Sequence, residues 1–150
     1  MSVSSQAIAN KFFELAKSEG KLLTNMQLQK LVYISQGFSL ALLDKTIYFH
    51  NSHAWQFGPV IPKLYKSLQK YGNGHVTEQL LAEDKLPNES QEIKIVKGVW
   101  QGYGHFSGGQ LSALTHKPGT PWSQTWESNQ FGIIPRELMS EYYKRLLETS

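Results

Sequence analysis

The sequence predicts a mostly α-helical fold: a compact bundle of about six helices, with room for one small β-hairpin near residues 46–57. Three observations predict it. Apolar residues recur at helical spacing in several long segments. Capping signals stand immediately before those segments. β-rich composition is confined to one short stretch, bounded by turn residues.

Ser4 or Ser5 can cap a first helix running to about Ser18, with Ile8, Phe12, Leu15 and Ala16 on one face and Gly20 as its stop. Thr24-Asn25-Met26-Gln27 has the capping-box form and opens a second helix to about Leu43. That helix is apolar on most of its circumference, and Lys30 is its only charge, so it belongs at the centre of the bundle. Gly37 in its middle costs helix stability, which calls for close approach of a neighbouring element. Thr46-Ile47-Tyr48-Phe49 and Ala54-Trp55-Gln56-Phe57 are β-rich runs separated by Asn51-Ser52, closed by Gly58-Pro59.

Pro62 opens a third helix that ends near Tyr71, with Leu64, Leu68 and Tyr71 inward and Lys63, Lys66 and Lys70 outward. Residues 73–89 are polar and irregular, with at most a helical turn around Glu78 to Ala82. A fourth helix fits Asn88 to Tyr103, with Ile93, Val96, Val99 and Trp100 inward. Ser107-Gly108-Gly109-Gln110 caps a short helix through Leu111, Leu114 and Thr115, and Pro118-Gly119 suits a type II turn. Thr120-Pro121 opens a further short helix. Pro135 opens the last, Arg136 to about Glu148, with Leu138, Tyr142 and Leu146 on one face.

The 150 residues fit one domain, 1–150. Cysteine is absent, so disulfides and thiolate zinc sites are excluded and a cytoplasmic location is expected. The first twenty residues lack the apolar core of a signal peptide, and Leu31 to Leu43 is too interrupted to span a bilayer, so no membrane role is expected. The net charge of +3 is thinly spread and arginine is confined to Arg136 and Arg145. Nucleic-acid binders concentrate their charge more than this.

Each chemical constellation fails on spacing or setting. His50 and His53 stand three apart without a third ligand, so no metal is expected. Gly102, Gly104 and Gly108 follow a helix, not a strand, and miss the dinucleotide spacing. No nucleophile motif occurs. Glu83, Asp84, Glu89 and Glu92 read as a solvated face. His116 falls at a helix end beside Lys117, where a capping role suits it. No catalytic residue and no cofactor is assigned, and the chain is not expected to be an enzyme. The first two helices could imitate a helix-turn-helix with Asn25, Gln27, Gln29 and Lys30 forward, but a helix apolar all round has no face to give a groove, so DNA is not expected as a partner. Binding by aromatic anchors remains. Of Trp55, Phe57, Trp100, Tyr103, Trp122 and Trp126 most should be core; those in loops and at helix starts, Trp55 and Trp122 above all, are candidate anchors.

Three segments resemble one family in order and spacing. They are Leu28 to Gly37, containing Lys30, Leu31 and Tyr33; Ala54 to Pro62, containing Trp55, Gly58, Pro59 and Val60 and followed by Tyr65; and Leu111 to His116, containing Ser112, Leu114 and Thr115, followed by Pro121-Trp122. Together they resemble the Panacea antitoxin domain, the group of SocA-like and GepA-like phage-associated proteins. The resemblance implies a helical antitoxin, often carried on prophages, that binds a cognate toxin encoded by an adjacent gene. Some members present the toxin to a protease, and some carry an appended DNA-binding domain, which is not expected here. The stretch Lys117 to Thr120 is slightly longer than the family's form. Lys30, Tyr33, Trp55, Tyr65, His116 and Trp122 are the partner-binding candidates that follow. The alternative is that they join the helices through buried hydrogen bonds.

Overall fold

The computed structural model describes residues 2–149. Local caps set most helix boundaries. Ser4 accepts a hydrogen bond from Ala7 N and starts α1 (Ser5–Ser18). Thr24 and Gln27 form the full reciprocal capping box of α2 (Asn25–Leu43). Ser90 starts α4 (Gln91–Tyr103), Ser107 and Gln110 box the start of α5 (Gly108–His116), and Thr120 with Pro121 starts α6 (Pro121–Ser128). α3 (Pro62–Leu68) begins on proline and tightens into a 3-10 turn, and α7 (Arg136–Glu148) follows Pro135. No helix of the described residues is long and apolar enough to cross a membrane.

α2 is the axis of the fold. Every residue from Leu28 to Gly37 is buried, and α1, α4, α5 and α7 pack around it. Phe12, Leu31, Leu64 and Val96 lie wholly inside the resulting core. Gly37 meets the ring of Tyr143 on α7, which would overlap any Cβ at that position. This is the close approach that a mid-helix glycine implies.

Four expectations are corrected. The hairpin is real but displaced: β1 (His53–Trp55) pairs antiparallel with β2 (Gly58–Val60), Trp55 opposite Gly58, around a turn at Gln56-Phe57. Gly58-Pro59 thus belongs to a strand instead of closing the turn. Residues 46–49 pair elsewhere. Gln36 donates to Tyr48 O and accepts from Ile47 N, while Val3 N donates to Ile47 O and Phe49 N to Val3 O. Ile47 and Tyr48 are consecutive and both fully buried, which the alternation of a half-buried strand does not allow. Second, residues 78–82 form no helical turn; Asn10 pins them by exchanging two hydrogen bonds with Leu80. Third, α7 is rotated by about one residue: Met139 and Tyr143 are buried, whereas Leu138, Tyr142 and Leu146 are only partly so. The gap at Gly37 draws Tyr143 inward. Fourth, the acidic stretch is not uniformly solvated. Glu92 is buried and faces Lys45 at 4.0 Å, and Asp84 accepts from both N and Oγ of Ser4 at 2.7 Å.

Candidate functional site

The three motif segments meet at one place. α2 brings Lys30 beneath the hairpin, where its Nζ donates to Pro59 O at 2.7 Å. Gly58, with φ +121, lies between Lys30 and His116: a Cβ there would stand 3.1 Å from Lys30 Nζ and 3.6 Å from His116 Nδ1. Both the positive φ and this crowding favour glycine. α5 is clasped to the turn by Ser112 Oγ, which donates to Phe57 O at 3.2 Å. His116 Nδ1–H donates to Ser112 O, which fixes its tautomer and its ring. α6 is tied to the same hairpin by Trp122 Nε1, which donates to Trp55 O at 2.6 Å.

Aromatic contacts extend this junction. His116 meets Trp122 edge-on at 5.3 Å, Trp122 stacks on Trp126 at 5.6 Å, and Trp126 meets Phe131 at 5.2 Å. On the other flank, Trp55 packs edge-on against Tyr65 at 5.1 Å. Phe131, with φ +66, is held against β1 by its N–H to Ala54 O. A bulky side chain in that backbone region is strained, and such strain persists where the surroundings impose it.

Between the start of α2, the hairpin and α3 lies a cleft of about 760 Å³. Its floor includes Gln29 and Lys30, and its walls include Met26, Trp55, Phe57, Tyr65 and Phe131. Phe57 is 74% exposed, Phe131 56% and Met26 44%. Burial pushes the Lys30 ammonium down to about 8.

The structure sorts the six partner-binding candidates. Lys30, Trp55 and Tyr65 line the cleft, and His116 supports it from behind Gly58. Tyr33 and Trp122 do not offer themselves to a partner. Tyr33 is 1% exposed inside α2's packing, and Trp122 is buried with its N–H already engaged. As groups that a partner could touch, both are corrected to core. Among the remaining motif residues, Leu28, Leu31, Ala54, Gly58, Pro59, Leu111, Ser112, Thr115 and Pro121 are buried, Val60 and Leu114 are partly so, and Gly37 seats Tyr143.

The residues that sequence reasoning missed are Phe131, Met26 and the buried amide of Gln29. A lone aromatic in the loop Asn129-Gln130-Phe131-Gly132 was the available signal for the first. The groove-reading polar set is occupied internally: Asn25 donates to Gly72 O, Gln27 to Phe106 O, and Gln29 and Lys30 are buried. The two histidines of the His50–His53 pair serve different neighbours, Ser5 Oγ and Phe131 O.

Tyr33 supports a first prediction. Its hydroxyl is buried and has no hydrogen-bond partner among the described residues. Tyr33→Phe removes that desolvated group and should leave stability unchanged or raise it by about 1 kcal/mol. Thermal melting of the variant checks this; a drop of several degrees would mean the hydroxyl makes a bond that matters.

The family model for the antitoxin SocA-like Panacea domain matches residues 28–123. The chain belongs to that family. Antitoxin SocA of Caulobacter vibrioides (strain NA1000 / CB15N) is 29% identical over 130 residues, covering 81% of this chain and 69% of that protein. No solved structure matches the chain significantly. The Panacea match contains the floor of the cleft and the whole hairpin, whereas Met26 and Phe131 on the rim lie outside it.

Proposed function

We propose that this Panacea protein is a non-enzymatic antitoxin of the cytoplasm that neutralises a cognate toxin by binding it directly at the cleft. One observation carries the reading: Phe57, Phe131 and Met26 are exposed together around a cleft walled by Trp55 and Tyr65. Large rigid rings on a preformed support supply interface energy at small entropic cost. The floor and hairpin lie inside the span shared with the family, and part of the rim lies outside it. That division suits a common scaffold with a partner-specific edge.

Co-expression with the adjacent gene tests the reading. That gene alone should arrest growth, and this protein should restore it and co-purify with the product. Phe57→Asp places a charge on the exposed turn without touching the core. It should leave circular dichroism and melting unchanged while weakening the complex by on the order of 2 kcal/mol, about 30-fold, and abolishing rescue. Rescue by the wild type with no physical complex would sink direct binding, and loss of the toxin from those cells would then point to its delivery to a protease.

A further inference from the structure

The floor of the cleft holds a cation with no anion to meet it among the described residues. Lys30 is 4% exposed, and its Nζ makes one hydrogen bond, to Pro59 O. An ammonium has three N–H donors, so two are left without a partner among the described residues. Lys30 pairs with no carboxylate among those residues, and the lining of the cleft contains no aspartate or glutamate. Beside it, Gln29 is also 4% exposed: its Oε1 accepts from Ile61 N, and its Nε2 has no partner among the described residues. A buried cation with one hydrogen bond and a buried amide donor with none stand at the floor of a cleft whose walls carry Trp55, Phe57, Tyr65 and Phe131 beside the polar Asn25, Gln56, Gln69 and Asn73.

Buried charges are normally paired, because desolvation without a counter-charge is costly. Here no counter-charge stands beside the ammonium among the described residues, which points to a ligand that brings it. A monoanion balances one ammonium. A phosphate dianion would leave net negative charge where no second cation stands, so a carboxylate fits better. The cleft has the volume of pockets that enclose a whole small ligand, so apolar groups on the same segment must fill the aromatic part.

Resting on the reading that the toxin docks in this cleft, we propose that Lys30 and Gln29 form a receptor for a side-chain carboxylate, an aspartate or glutamate set within an apolar segment of the partner. The carboxylate accepts from the free N–H groups of Lys30 and from Gln29 Nε2, while flanking apolar side chains lie against Trp55, Tyr65 and Phe57. The contact adds affinity and also selects against partners with a neutral or basic residue at that position, since these leave the ammonium buried and unpaired.

The test uses the whole protein and three probes: acetyl-Phe-Glu-Phe-amide, acetyl-Phe-Gln-Phe-amide, and acetyl-Phe-Phe with a free terminal carboxylate. Binding and the Lys30 ammonium are followed by NMR of lysine labelled at Nζ. The glutamate peptide should bind at least tenfold more tightly than the glutamine peptide, and should keep Lys30 charged to higher pH, as an opposite charge must. The difference should vanish in Lys30→Met, and Gln29→Leu should reduce it. Equal binding of the two amides, absence of binding by either, or a preference that survives Lys30→Met overturns the proposal. Tighter binding of the free-terminus peptide overturns its side-chain assignment. No toxin enters these measurements, so failure of growth rescue would sink the antitoxin reading and leave the peptide preference standing; the reverse also holds.

Discussion

Replacing Lys30 with methionine should make the free protein more stable and remove a rise in stability at alkaline pH. Desolvation lowers the ammonium from its ordinary 10.5 to about 8. At about 1.4 kcal/mol per unit, the charged form costs the fold roughly 3 kcal/mol at neutral pH. Methionine keeps most of the packed stem and carries no charge. It also leaves Pro59 O without its donor, a loss of about 1 kcal/mol. The net gain should be about 2 kcal/mol at pH 7, read as an increased urea midpoint.

The pH dependence follows from the sign of the shift. Between about 8 and 10.5 the unfolded lysine holds a proton that the folded one has released. Wild-type stability therefore rises with pH through that window and is at its lowered plateau below it. Above about 10 the buried hydroxyls of Tyr33, Tyr48 and Tyr143 reverse the trend. Burial raises them, so the unfolded chain releases those protons first. Urea midpoints at pH 7, 8 and 9, below the tyrosine range, should climb for the wild type and stay flat for Lys30→Met. A variant less stable than wild type at pH 7, or a wild-type curve flat across that window, would mean that the ammonium is not buried at a cost. A residue that destabilises the free protein and lines the proposed docking cleft follows the usual trade between stability and function.

Gly37→Ala should produce the opposite effect. Helix propensity alone would favour alanine by about 1 kcal/mol. Here its Cβ would overlap the ring of Tyr143, which is buried and held edge-on against Phe38 at 4.8 Å. The Tyr143 ring is buried, so α7 must move to clear it, and overpacking of this kind costs up to about 3 kcal/mol. The net loss should be about 2 kcal/mol, a fall of roughly 4–8 °C in Tm. Gly98→Ala in α4 is the matched control. A Cβ there meets nothing within contact distance, and the variant should gain about 0.5–1 kcal/mol. If both glycines respond alike, propensity governs and the close approach of α7 to α2 is not what keeps Gly37.

The helix starts at Ser4, Thr24, Ser107 and Thr120 were legible in the sequence because each cap closes within three or four residues of chain. The central place of α2 was legible too, since a helix apolar on every side has to be covered on every side. So was the family, through three segments that meet around Gly58.

Other features needed the tertiary structure, and in each case the deciding contact joins residues far apart in sequence. Residues 46–49 left the hairpin because Gln36 and Val3 claimed their backbone groups. α7 turned by one residue because the gap at Gly37 accepts Tyr143. Trp122 and Phe57 are both large aromatics near a turn, yet one is buried and the other is 74% exposed. The difference lies in which neighbour covers each ring. Lys30 could be read from the sequence as the lone charge of α2. That no acid among the described residues answers it, and that Gln29 shares its floor, depends on where the carboxylates of the fold are placed. By itself, then, the sequence determined the helices, their caps, the central element and the family. Only the packing of distant segments decided which surfaces stay open and which charge is left unpaired, because local geometry is set by neighbours in the chain and burial by neighbours in space.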